Sequence, residues 1–328
     1  MGEVGGEVGS RRIDESVRGR PAASLLPFVA HYSGYRQAGV APATHRGLPS
    51  PFMTLIFTLD EPLAIGAHPD PRQAPGRYDT LIGGLHTTPA LITHDGWQSG
   101  IQLGLSPLGA RALLGLPAGE LADVDLDAAE LLGPLAREIR ERVRAESRWP
   151  ARFAVLDRML LSRIGDGQGA GRIGAGGAGA GSVRAGGVRA GGIGAGGAGA
   201  GSVSAEVGYA WRRLLRSGGR VSLSDLAEAT GWSDRHLRTR FRTETGLSPK
   251  AAARVIRFHR ARRLLLQRTA AGPPPVLADL AAECGYYDQA HLARDFRALA
   301  GCSPTEWLAD EFRFVQAMAG GAGADSQS

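Results

Sequence analysis

Four side chains able to do chemistry crowd one short stretch: Arg235, Arg238, Thr239 and Arg242. Leu237 and Phe241 stand among them, four apart. On a helix those two share one face and leave the other four pointing outward. A guanidinium presents a planar fork of donors that matches a phosphate or a guanine edge, and a threonine hydroxyl can donate or accept. The chemistry on offer is hydrogen bonding to an anionic partner.

The elements that must position these groups are legible on either side. Leu223–Thr230 reads as a short amphipathic helix burying Leu223, Leu226 and Ala227, and Gly231-Trp232 as a sharp turn. A second helix opens near Ser233-Asp234, both good N-cap types, and runs through Phe241. Two short helices joined by a glycine turn form a helix-turn-helix pattern. The pattern recurs as Leu280-Ala281, Gly285-Tyr286, Leu292, Phe296, Gly301 and Ser303-Pro304, with one residue added just after the second turn. Between the units Ser248 caps and Pro249 opens a helix that can run to about Arg268. Its roughly 20 residues would span about 30 Å, close to one turn of B-DNA.

With these residues in view, segment 220–313 resembles the AraC/XylS-type DNA-binding domain, which has two helix-turn-helix units joined by a long helix. The run Gly285-Tyr286-Tyr287-Asp288-Gln289-Ala290-His291-Leu292-Ala293-Arg294-Asp295-Phe296, followed by Gly301-Cys302-Ser303-Pro304, is very similar to that family's signature. Carried over by position, the resemblance makes Arg235, Arg238 and Thr239 base-facing in the first unit, and Gln289, His291 and Arg294 in the second. Thr239 stands where the family often carries arginine. Arg242, Arg254 and Arg257 would hold phosphates, as would helix N-termini.

The charge distribution agrees with an anionic partner. The formal net charge is +6. From Arg235 to Arg268 there are eleven Arg and Lys against the single acid Glu244, whereas Thr269–Arg313 carries three Arg against seven acids. The first unit and the linking helix should therefore supply most of the phosphate attraction, and the second unit selectivity. The two cysteines, Cys284 and Cys302, make neither a metal quartet nor a disulfide scaffold, and read as buried small hydrophobes. No apolar run reaches 18 residues and no apolar leader follows Met1, so the expectation is a cytoplasmic protein without membrane insertion.

Residues 1–20 read as a disordered tail. Residues 21–164 read as an α+β domain, β-rich and then helical. Its strands are expected at Phe52–Leu59, Leu63–Ala67, Leu81–Leu85, Ala90–Thr93 and Gly100–Leu105. Its helices are expected at Ala110–Leu114, Leu131–Glu146 and Arg152–Ile164. Gly34-Tyr35-Arg36, His45-Arg46-Gly47-Leu48-Pro49-Ser50, Gly83-Gly84-Leu85-His86 and Ser106–Gly115 resemble the sensor half of some AraC-type regulators. A cupin-type β-barrel is usual in the wider family, and the strands here suffice for a small barrel or open sheet, without a cupin metal motif. If it holds a ligand, the aromatic and polar groups at Tyr35, Phe57, His86 and Trp97 are the candidates. Five histidines lie in this half, none at metal-ligand spacing, and no cofactor is expected. Residues 165–204, with an 11-residue string repeated at 173–183 and 193–203, read as a Gly/Ala-rich flexible linker of roughly 35 Å reach. It would tether the halves loosely. Residues 205–315, opened by a helix at Ala205–Arg216, form an all-α domain, and 316–328 a second disordered tail.

The sequence thus suggests a DNA-binding transcription regulator and not an enzyme. Double-stranded DNA is the expected partner, with a small-molecule effector, RNA polymerase and a second copy of the chain as further candidates. Two alternatives remain. One is a non-specific DNA-architectural protein. The other is an enzyme, which would need His31, His86, His94 and Asp95 to converge.

Overall fold

Alternation along Met53–Thr58 puts Met53, Leu55 and Phe57 on one side and Ile56 on the other, and both sides are buried. This strand sits in the middle of three layers, a small sheet, a large sheet and a helical cover. A computed structural model describes residues 12–170, 184–185, 188–189 and 203–319. The strands of its first half are β1 Ile13–Gly19, β2 Val29–Ala38, β3 Ala43–Gly47, β4 Met53–Thr58 and β5 Leu63–Ala67. They continue with β6 Gly76–Tyr78, β7 Thr80–Gly83, β8 Ala90–His94, β9 Gln98–Leu105 and β10 Asp125–Asp127. They form two antiparallel sheets, one ordered β1-β2-β9-β4-β7-β10 and the other β3-β8-β5-β6. Ile56, Leu63, Ile65 and Leu81 fill the space between the sheets.

The other face of the larger sheet is covered by α1 Ala110–Leu114, α2 Ala129–Leu132, α3 Pro134–Ala145 and α4 Trp149–Ala170. Ile139 and Val143 of α3 and Leu156 and Leu160 of α4 meet Leu55, Phe57, Ile101 and Leu103 in one core. Each such side chain removed from water contributes about 1.5–3 kcal/mol. Asp157 of α4 ties the helix to the sheet by accepting hydrogen bonds from the Tyr32 hydroxyl and the Ala22 amide, each 2.9 Å long.

Several expectations are corrected here. Ile13–Gly19 is not tail but a strand fully paired with β2, with Val17 packed on the core. Strands β2, β3, β6 and β10 escaped the sequence reading. In β2 a register shift between Val29 and His31 breaks the period of two, and β10 has only three residues. The helix expected over Leu131–Glu146 is two helices, because Gly133 takes φ 59° and Pro134 must start afresh. Helix α4 continues to Ala170, into the stretch read as linker. Most of 165–204 lies outside the described residues, as do 1–11 and 320–328.

The second half is all helical: α5 Ala205–Arg216, α6 Leu223–Thr230, α7 Asp234–Thr245, α8 Pro249–Ala271, α9 Leu277–Cys284, α10 Gln289–Ala300 and α11 Pro304–Ala319. The last extends four residues past the boundary expected for the tail. Trp211, Leu226, Leu237 and Phe241 centre the first unit, and Leu280, Leu292, Phe296 and Trp307 the second. Phe258 of α8 meets Phe296 edge-on at 4.9 Å.

Loose tethering is also corrected. The Arg111 guanidinium donates two hydrogen bonds, 2.8 and 2.9 Å, to the buried carboxylate of Glu244 on α7. Gly119, in the turn after α1, lies so close to α7 that a Cβ there would stand 2.2 Å from the Thr243 carbonyl. Arg46 pairs with Asp310 at 3.0 Å, and the Phe52 ring meets His259 of α8. Direct packing, whatever the reach of the connecting segment, sets how the halves sit.

Candidate nucleic-acid interface and sensor cleft

Helix α7 begins at Ser233, whose hydroxyl accepts the His236 amide, and ends at Gly246 in the left-handed region. Because Leu237, Phe241 and Thr245 are buried, the helix is fixed in rotation, and Arg235, Arg238, Thr239 and Arg242 are exposed. The preceding α6 carries a capping box, Ser222 with Asp225, and stops at Gly231, φ 69°. Thr239 Oγ1 donates to the Arg235 carbonyl at 3.0 Å, which turns its hydroxyl back toward its own helix.

The second unit repeats this geometry. Helix α9 stops at Gly285, φ 80°, and Asp288 caps α10 by accepting the His291 amide at 2.7 Å. Gln289 and Arg294 are exposed. His291 is half-buried, edge-on to the buried Tyr286 ring at 5.1 Å, and its Nδ1 accepts the Tyr287 amide. It therefore braces the turn as well as facing outward. The residue added to this turn is accommodated at Tyr286-Tyr287, and Tyr287 is 93% exposed, a signal the sequence reading passed over.

The three residues expected to hold phosphates separate. Arg242 is free on the surface of α7 among the described residues. Arg254 instead gives its Nε to Asp295 of α10 at 2.6 Å, with Asp295 only 8% exposed. Arg257 donates to the Gly219 carbonyl at 2.9 Å and lies over the Tyr286 ring. Both have internal partners first, because α8 is the core around which the two units pack. Arg268 and Arg260 reach Glu283 of α9 in the same way. Local charge predicted the cations correctly but not their use.

In the first half, a cleft of about 370 Å³ opens at one edge of the sheets. Tyr35 and Trp97, two of the four expected ligand groups, line it together with Glu61, Arg77, His94 and Asp95. The other two do not. Phe57 is wholly buried in the helix-covered core, and His86 donates a hydrogen bond from Nδ1 to the Thr88 carbonyl beyond β7. Burial keeps the His94 imidazole below its ordinary value, and pushes the Tyr35 phenol well above its own, so that it keeps its proton. His31 meets the Phe52 ring edge-on toward α8, so of His31, His86, His94 and Asp95 only the last two meet. No group of three or more His, Cys, Asp or Glu among the described residues could hold a metal ion. A buried His68 bonds Asp125 at 2.8 Å and the Tyr78 hydroxyl at 3.2 Å, a closed network between the sheets. Cys284 is buried and Cys302 half-buried, and burial raises both thiols.

Two family models match the chain: a helix-turn-helix domain over residues 226–310 and a domain of unknown function, DUF6597, over 17–127. The chain therefore carries a helix-turn-helix domain behind a β-rich N-terminal domain. It is 39% identical over 72 residues to an uncharacterised HTH-type transcriptional regulator, YbfI, of Bacillus subtilis; the match spans 22% of this chain and 24% of that relative. Among solved structures it is similar to the C-terminal domain of AraT, a response regulator from Geobacillus stearothermophilus. That likeness has 24% identity and a TM-score of 0.30, over 33% of this chain and 87% of that one. It is also similar to ToxT from Vibrio cholerae solved with an unsaturated fatty acid, at 8% identity and a TM-score of 0.47, over 84% and 94%. Neither overlay is close enough to carry residue roles. No helix among the described residues is long and apolar enough to cross a membrane.

Proposed function

We propose that the protein is a sequence-specific DNA-binding transcription regulator of the cytoplasm, with residues 12–170 as sensor and 203–319 as DNA reader. What carries this reading is the pair of exposed, similarly capped helices α7 and α10, one preceding and one following α8 in the chain. The 23 residues of α8 span about 34 Å, one turn of B-DNA, so the two helices suit successive major grooves. Arg235, Arg238 and Thr239 read base edges in one groove, and Gln289, His291 and Arg294 in the next. Arg242 and the helix N-termini hold phosphates, while Arg254 fastens α10 to α8 and Arg257 ties α8 to the Gly219 carbonyl and the Tyr286 ring, so both act on DNA only through the placement of the units. The first half senses a small molecule and catalyses nothing. RNA polymerase and a second copy of the chain are its further partners.

Selection of sites from random DNA by the full chain tests this. A bipartite motif with half-sites about one helical turn apart is expected. Enrichment of a single half-site would make the second unit structural. Equal binding to all sequences would favour an architectural role instead.

A further inference from the structure

The cleft beside Tyr35 and Trp97 has a chemistry of its own. Trp97 is 51% exposed, in a chain where few other large apolar side chains are left open, and its ring belongs to the cleft wall. Among the described residues neither its indole N–H nor the Tyr35 hydroxyl has a hydrogen bond, although Tyr35 is held in place beneath by β9. Gly100 makes that possible, since a Cβ there would come 2.6 Å from the tyrosine oxygen. The His94 Nε2 is buried without a hydrogen-bond partner. Unused polar atoms and an open aromatic face in one concavity are the marks of a ligand site rather than of a packed edge.

The charges around it decide the ligand's sign. Glu61 and Asp95 face the cleft, against Arg77 alone. Arg77 lies 3.9 Å from Glu61, both well exposed, a loose pair of little energy. Asp95 has no salt bridge and no hydrogen bond among the described residues. His94 adds no positive charge, because burial disfavours its protonation. The balance is one net negative charge next to two aromatic side chains, an arrangement that attracts a cation and repels a carboxylate.

We propose that this cleft binds a small organic cation, an amine or quaternary ammonium carried on an apolar body, against Trp97 and Tyr35 and facing Glu61 and Asp95. The volume fits a ligand of one ring with a short arm. The inference names the ligand class for the sensor role proposed above and rests on that role only for its biological meaning.

Calorimetric titration of the full chain with benzyltrimethylammonium and with phenethylamine is the test, beside benzoate and benzyl alcohol as anionic and neutral analogues. At least one cation should bind saturably, roughly tenfold or more tighter than either analogue. The double variant Glu61→Gln, Asp95→Asn should weaken it by about tenfold or more without altering thermal unfolding, since both side chains are exposed. Benzoate binding as tightly, neither cation binding at millimolar concentration, or the double variant binding unchanged would each overturn the proposal. Cation binding by a chain that selects no DNA site would leave the cleft standing and remove the regulator reading.

Discussion

Removing the Arg111 side chain exposes what joins the two halves. Glu244 sits on α7 with its side chain 3% exposed, and both its oxygens accept from Arg111, itself 26% exposed. Arg111→Ala leaves a carboxylate buried without its cation. Breaking a buried pair in this way costs about 3–5 kcal/mol, reduced here to about 2–4 because a quarter of the guanidinium already meets water. Thermal unfolding of the full chain should fall by about 5–10 °C. Arg111→Met combined with Glu244→Leu removes both charges and should return within about 1 kcal/mol of the parent protein, giving a coupling of about 2 kcal/mol in a double-mutant cycle. A cost below about 0.5 kcal/mol for Arg111→Ala, or strict additivity of the two changes, would refute the claim that this contact holds the β-rich half against α7.

Arg294→Ala should cost about 1–3 kcal/mol of specific binding and relax sequence preference, whereas Arg242→Ala should weaken all sequences alike and lower the salt slope by about 1, as read by titrations at several salt concentrations. Arg257→Ala should act on stability, by about 1–3 kcal/mol in denaturant unfolding, because it leaves the Gly219 carbonyl and the Tyr286 face without their partner. Stability should also fall with acid. Burial and the nearby Arg262 and Arg263 push His259 down to about 3, and burial with His94 pushes His45 down to about 4, from an ordinary 6.5. Lowered histidines stabilise above pH 6.5 and lose that contribution as the pH drops toward their folded values, since the unfolded chain then binds the extra protons. Between pH 7 and 5 the loss should total about 2–4 kcal/mol; equal unfolding free energies at the two values would contradict it.

Much of the reading half was legible. Leu237 and Phe241 set the rotation of α7, the N-caps set where helices begin, and the glycines at 231, 246, 285 and 301 set where they end. These are local effects with a period of 3.6, and a sequence displays them directly. The sensor half was less so. Leu63–Ala67 was read to the residue, yet β2 was missed, because a bulge and four polar residues (His31, Ser33, Arg36 and Gln37) hide its alternation and its pairing partners in β9 lie 61 to 76 residues away. Tyr35 and Trp97 drew attention as aromatics, but nothing local says that Glu61 and Asp95 stand with them while Phe57 does not.

The sequence by itself determined two capped helices and the outward side chains of each. Only the tertiary structure decided which cations remain for DNA. The buried Asp295 and Glu244 engage the partly exposed Arg254 and Arg111, since a carboxylate that loses water must find a charged partner wherever the fold brings one. That choice depends on which helices and sheets meet, a distance in space that no spacing along the chain records.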